Sequence, residues 1–241
     1  MKKMPAASEA IFAAYVQDWQ AAMGADLEAV ILYGSAARGE YAADQSDINF
    51  LIVLTPAGMT RLRQAIPLTA KWQQRAMVTP LVLTRAFLQA SRDSFPIELL
   101  SMQCHHRVLF GEDVLSRLEI APAHLRLQLE REIKGKLVHL WKGLLGRGQD
   151  RQALLALLRA SINDFYALFE AFLFLKGEAI PATRQESFLK VAALANLDTG
   201  FIAPLFRLQT GSARPYREEL WQLTEDYIAQ ITKLTEYIDH M

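Results

Sequence analysis

The chain has 241 residues, 51% of them hydrophobic, so it can bury a core large enough for one large domain or two modest ones. Lys and Arg together number 26, and so do Asp and Glu, which leaves no net charge to attract nucleic acid or an anionic membrane. A single cysteine, Cys104, excludes an intramolecular disulfide, and no Cys/His spacing matches a zinc site.

Two features predict a cytoplasmic protein with no membrane partner. Polar residues, among them Gln17 and Asp18, interrupt the N-terminal segment before a signal-peptide core could form. The most apolar stretch, 165–175, is shorter than the roughly 20 apolar residues that cross a bilayer, and it reads as a buried helix.

The first half of the chain predicts helices mixed with strands. Apolar residues at helical spacing, and short apolar runs rich in Val, Ile and Leu, distinguish the two kinds of element. The predicted helices are 9–23, 60–75 and 85–90. The predicted strands are 27–33, 48–54 and 77–83, with edge strands at 98–102 and 107–110.

The pattern changes after Gly111-Glu112-Asp113, where strand-like runs give way to amphipathic helices joined by short loops. The predicted helices are 125–144, 154–173, 185–195 and one that starts at Pro215. Short loops between long helices favour an antiparallel bundle. We therefore predict two domains: an α/β domain with a mixed, mainly antiparallel sheet over 1–118, and an all-α bundle over 119–241.

The most informative stretch joins the first two predicted strands. The first strand ends at Gly34-Ser35, where the glycine allows close backbone approach and the serine hydroxyl can bind a phosphate oxygen. Ser46 precedes the second strand, and Asp47 and Asn49 lie two residues apart, so their side chains point to the same face about 7 Å apart. Oxygen ligands beside a phosphate site suit Mg²⁺.

Taken alone, Gly34-Ser35 is a common turn and Ser46-Asp47 a common strand entry. The joint pattern, which also includes Arg38-Gly39, resembles the DNA polymerase β-like nucleotidyltransferase superfamily. The resemblance implies a nucleotidyltransferase-like α/β (α+β) domain. The helical second half looks like the appendage of aminoglycoside nucleotidyltransferases.

The resemblance also implies roles for individual residues. Gly34, Ser35 and Arg38, with Ser46 nearby, correspond to nucleotide-binding positions. Asp47 corresponds to the first catalytic metal carboxylate, and Asn49 stands at the second. An amide carries no charge, so affinity for a second Mg²⁺ should fall.

The third carboxylate of active relatives lies on the next strand. Here 77–83 contains no acid at all. Glu98 lies beyond that strand and could act in its place, although its position after Pro96 is more typical of an edge or helix-start residue. The active-site carboxylates are therefore incomplete.

Two functions follow from the resemblance. The first is binding of a Mg-nucleoside triphosphate with transfer of a nucleoside monophosphate to an acceptor hydroxyl, on a small molecule or a protein. The alternative is a catalytically impaired homologue, a nucleotide-binding or protein-interaction module. Aromatic side chains spread around more than one face of the helix at 154–173, which is compatible with a homodimer.

The run Cys104-His105-His106 invites a metal or nucleophilic role. Adjacent residues on an extended chain point to opposite faces, and no third ligand lies nearby in the sequence. A structural or surface role is the favoured interpretation.

Overall fold

The computed structural model describes residues 6–38, 48–75, 77–213 and 215–241. The chain separates into two compact units, Met1–Ala121 and Pro122–Met241. In the described part of the chain, no helix has both the length and the apolar character needed to span a membrane.

The first unit combines helices with a small sheet. Short 3₁₀ segments, Gly24–Asp26 and Leu62–Ala65, connect some of its elements. In chain order the helices and strands are α1 (Ala6–Met23), β1 (Leu27–Tyr33), α2 (Ser35–Arg38), β2 (Asn49–Leu54), α3 (Pro56–Met59), α4 (Ile66–Gln73), β3 (Leu81–Leu83), α5 (Arg85–Ala90), α6 (Pro96–Cys104) and β4 (His106–Gly111).

The described strands form one mixed sheet in the order β3-β2-β1-β4. Strand β1 pairs antiparallel with both β2 and β4, whereas β2 pairs parallel with β3. The prediction of a mixed, mainly antiparallel sheet followed by helices is confirmed.

Alternation along the strands builds the core between the sheet and α1. The even-numbered apolar side chains of β1 and β2, such as Leu32 and Phe50, are buried in one cluster with aromatic residues of α1. The ring of Phe50 stacks on Tyr15 with 4.2 Å between centroids and meets Phe12 edge-on at 5.8 Å. This packing fixes the positions of β1 and β2, whose ends carry the predicted site.

Proline accounts for three differences from the predicted elements of this unit. The predicted edge strand 98–102 is wrong, because Pro96 stands at the start of helix α6, where its missing N–H costs nothing. The predicted helix 60–75 is broken, and α4 starts afresh with Pro67 in its first turn. The predicted strand 77–83 shrinks to β3, since Pro80 cannot donate to a ladder and Met77 makes only an isolated bridge to Ile48.

The second unit is helical throughout its described elements, which are α7 (Pro122–Arg147), α8 (Arg151–Leu175), α9 (Arg184–Leu194), α10 (Ile202–Gln209) and α11 (Arg217–Asp239). Helix α7 packs on α8 and α11, and α8 packs on α9 and α10. Asp150 caps α8 by accepting the backbone N–H of Gln152 at 2.8 Å. The sequence analysis assigned no helix to the residues of α10.

Candidate functional site

The last residue of β1 and the first residues of β2 and β4 lie side by side at one end of the sheet. Tyr33, the last residue of β1, pairs with Asn49 at the start of β2 and with His106 at the start of β4. Directly paired residues point to the same face, so these side chains form one row of about 10 Å across the sheet. The row brings two strand starts that are distant in sequence beside the end of β1.

Gly34 makes the turn that follows β1. Its φ of 77° lies in the left-handed region, which glycine adopts without steric cost. Its N–H donates to the carbonyl of His105 at 3.1 Å, and its own carbonyl accepts the N–H groups of Ala37 and Arg38 at 3.1 and 3.2 Å. These bonds tie β1, α2 and β4 together at the predicted phosphate position.

Asn49 lies directly beside this turn. A Cβ on Gly34 would stand 3.7 Å from Nδ2 of Asn49, so the amide nitrogen faces the glycine in ordinary van der Waals contact. Asn49, Ser35 and Arg38 are all half-buried. The structure thus places Asn49 beside Gly34, with Ser35 and Arg38 in the helix that follows, whereas Ser46 and Asp47 lie outside the described residues.

The described residues fit a two-cation site poorly. The strand β3 carries no carboxylate, and neither do Met77 and Val78, which precede it in the chain. The N–H of Val78 donates to the carbonyl of Ile48 at 3.4 Å. No group of three or more His, Cys, Asp or Glu side chains within 6–38, 48–75, 77–213 and 215–241 could hold a metal ion. The neutral amide of Asn49 adds no charge that would attract a cation.

Glu98, the predicted substitute for the third carboxylate, lies in the first turn of α6 with an exposed side chain. An acid at this position interacts favourably with the positive end of the helix dipole. Its placement is therefore that of a helix-start residue.

His106 is held on both sides of its ring. Its Nδ1 lies 3.0 Å from the carbonyl of Gln103, and its Nε2 lies 3.0 Å from the carboxylate of Asp113. Since both ring nitrogens already face acceptors, His106 links the start of β4 to the loop after it. This agrees with the structural role favoured for the histidines.

Asp113 is a structural partner of His106 that the sequence does not reveal. It also accepts hydrogen bonds from the backbone N–H and the hydroxyl of Ser116, at 3.0 and 2.6 Å. Desolvation raises the pKa of Asp113, but the hydrogen bonds from Ser116 and His106 outweigh it and lower the pKa to about 2. No short motif marks the pair, because His106 starts strand β4 and Asp113 lies beyond its end.

Tyr33 stands between Asn49 and His106 in the row. Burial raises the pKa of its hydroxyl, so the side chain stays uncharged at neutral pH. It adds an aromatic surface and no negative charge to the site.

Comparisons with known proteins identify the fold. No family model matches the chain, and no curated protein matches it. A solved structure of spectinomycin adenyltransferase AAD(9) from Enterococcus faecialis, with ATP and spectinomycin, is similar over 93% of this chain and 98% of that one, with a TM-score of 0.50 and 12% identity. At that identity the likeness establishes a nucleotidyltransferase-like fold followed by a helical region.

Proposed function

We propose that the first unit binds a nucleoside triphosphate at the end of β1. Gly34, Ser35 and Arg38 would contact the phosphate groups, with Ser46 completing the loop. The observation that carries the proposal is the meeting of Gly34 with the amide of Asn49 at the strand ends. The shared fold supports it, since the similar adenyltransferase structure contains ATP.

Asp47 would provide the one carboxylate for a Mg²⁺ ion that arrives with the triphosphate. When bound, the ion neutralises phosphate charge. Arg38, which is half-buried at the end of α2, would add a positive charge from the protein itself.

Transfer of a nucleoside monophosphate to an acceptor hydroxyl, with release of pyrophosphate, needs more than binding. Such reactions depend on positioning and on cations that offset the developing charge. Since β3 offers no carboxylate to hold a second cation, we expect transfer to a small-molecule or protein acceptor to be slow or absent. The site therefore supports nucleotide binding better than turnover.

Isothermal titration of ATP with Mg²⁺ tests the proposal on the wild type, on Asp47→Ala and on Asp93→Ala. Asp93 is an exposed aspartate of the same unit, so its variant controls for the loss of one negative charge. We expect wild-type binding that weakens about tenfold or more in Asp47→Ala, because a charged ligand of the cation is lost, and that is unchanged in Asp93→Ala. A wild-type protein that does not bind ATP would overturn the proposal.

A second candidate function, self-association through the helical unit, is favoured by the outer face of α7. Exposed apolar residues recur there at helical spacing: Leu127, Val138, Trp141 and Leu145. The same helix contains Gly135 and Gly146, where an added Cβ would meet nothing within 4 Å. A glycine inside a helix costs about 1 kcal/mol relative to alanine. Because a glycine has no side chain, the surface of α7 at these positions allows a second copy to approach closely. The molar mass in solution decides it, because a monomer at high concentration argues against this function.

A further inference from the structure

We propose that Asn49 binds the polyphosphate directly, as a hydrogen-bond donor, rather than serving as a ligand of a divalent cation. Part of the affinity for a nucleoside triphosphate then persists when no divalent cation is present. The inference rests on the proposed function, because it concerns the same site, and it assigns the chemical role of the residue that replaces a carboxylate.

The orientation of the Asn49 amide favours a role as a hydrogen-bond donor. Its nitrogen is the atom that faces Gly34, 3.7 Å from the position of a Cβ there. The N–H of Gly34 already donates to the carbonyl of His105. If the amide oxygen of Asn49 were turned toward the glycine instead, it could not accept that N–H. An amide nitrogen carries two N–H groups, and it can keep a partner within the protein and still donate to a ligand.

The charge of the surroundings favours a contact with phosphate over a contact with a cation. Hard cations such as Mg²⁺ are held chiefly by carboxylates and phosphate oxygens, and a neutral amide adds no charge to attract them. The parallel neighbour of β2 contributes Met77, 2% exposed, and the uncharged Val78. An N–H that donates to a phosphate oxygen, in contrast, makes a charge-assisted hydrogen bond, which is stronger than one between neutral groups.

The contact at Asn49 indicates which part of the nucleotide is recognised. Gly34 follows the end of β1 and Asn49 starts β2, and their contact involves only the glycine backbone position and one amide. A donor of this kind binds phosphate oxygens and does not contact the base. Inorganic triphosphate should therefore occupy the same site as ATP and should show the same dependence on Asn49.

The test is titration of ATP and of inorganic triphosphate in EDTA and in Mg²⁺. The variants are Asn49→Asp, which replaces the donor by a carboxylate, and Asn49→Ala, which only removes it. Asn196→Asp is the matched control: this exposed residue of the helical unit has a φ of 52°, which aspartate tolerates about as well as asparagine. Circular dichroism and thermal melting confirm that each variant is folded.

We expect the wild type and Asn196→Asp to bind both ligands in EDTA. Asn49→Asp should lose about tenfold or more of that affinity, because a carboxylate repels phosphate, and its affinity should depend more strongly on Mg²⁺. Asn49→Ala should bind several-fold more weakly than the wild type in EDTA while keeping the wild-type response to Mg²⁺. Should Asn49→Asp not fold, the Asn49→Ala result decides.

Two results would overturn the inference, and they differ. Wild-type binding that requires Mg²⁺, with Asn49→Asp binding as tightly or more tightly in Mg²⁺, would make Asn49 a cation ligand and leave the proposed function standing. An absence of binding to the wild type in both EDTA and Mg²⁺ would remove the proposed function itself.

Discussion

The two faces of the sheet use the same strands for different purposes. On the face toward α1, Leu32 and Phe50 are buried among aromatic rings. On the other face, at the strand ends, Tyr33, Asn49 and His106 form a row of polar and partly exposed side chains. Neighbouring residues in the sequence therefore have different roles: Phe50 packs in the core, and Asn49 lies in the row at the strand ends.

The core and the strand-end row can therefore change independently. A strand directs successive side chains to opposite faces, so the apolar face holds β1 and β2 in place whatever stands at position 49. This explains how the fold tolerates the uncharged Asn49 at the start of β2. Substitutions on the α1 face should alter stability, and those in the strand-end row of the other face should alter binding.

Phe50→Ala should give the largest effect. Phe50 is 0% exposed, and removing its ring takes away the stacking on Tyr15 and leaves a cavity. We expect a loss of about 3–5 kcal/mol in the free energy of unfolding, measured by urea denaturation.

Phe87→Ala is the matched control for that prediction. Its ring, on α5, is 50% exposed, so truncation should cost less than about 1 kcal/mol. Equal losses in the two variants would contradict the assignment of the core to the α1 face.

Gly34→Ala should give a smaller loss of stability and a distinct loss of function. The left-handed backbone at Gly34 costs an alanine about 1–2 kcal/mol. The added methyl would also contact the Asn49 amide, so ATP affinity measured by titration should fall.

Gly177→Ala separates these two contributions. Gly177, in the helical unit, has a similar φ of 69° and open space around its Cβ position. It should lose comparable stability with no change in ATP affinity. If both glycine variants bind ATP like the wild type, the turn at Gly34 has no part in the site.

Asp113→Asn should give the smallest effect, and one that depends on pH. The folded-state pKa of Asp113 is about 2, below its ordinary value of 3.8, so its ionised form stabilises the fold above that ordinary value. The contribution is lost as the pH falls through about 2. The difference in melting temperature between wild type and variant should be present at pH 7 and shrink toward pH 2. A difference that stays constant over this range would contradict the role of the carboxylate.

Much of the fold could be predicted because its strongest patterns are local. The apolar run 27–33 became β1 over the same residues, and Arg85–Ala90 became α5 as expected. The failures came at prolines: Pro96 starts helix α6, where the apolar pattern predicts an edge strand over 98–102. Sheet order also depends on long-range pairing, which no local pattern encodes.

Less of the site could be predicted. The spacing between Gly34 and Asn49 indicated that the two would meet at the strand ends, and the pairing of Tyr33 with Asn49 places them there. The link between His106 and Asp113 left no mark in the sequence, because a loop after β4 brings the carboxylate back. The roles of Asp47 and Ser46 stay predictions.

The decisive experiment is a crystal structure of the protein with ATP. We expect the triphosphate at the end of β1 and the start of β2, beside Gly34 and Ser35, with the Asn49 amide donating to a phosphate oxygen. ATP bound elsewhere on the chain, or no ATP at saturating concentration, would contradict it.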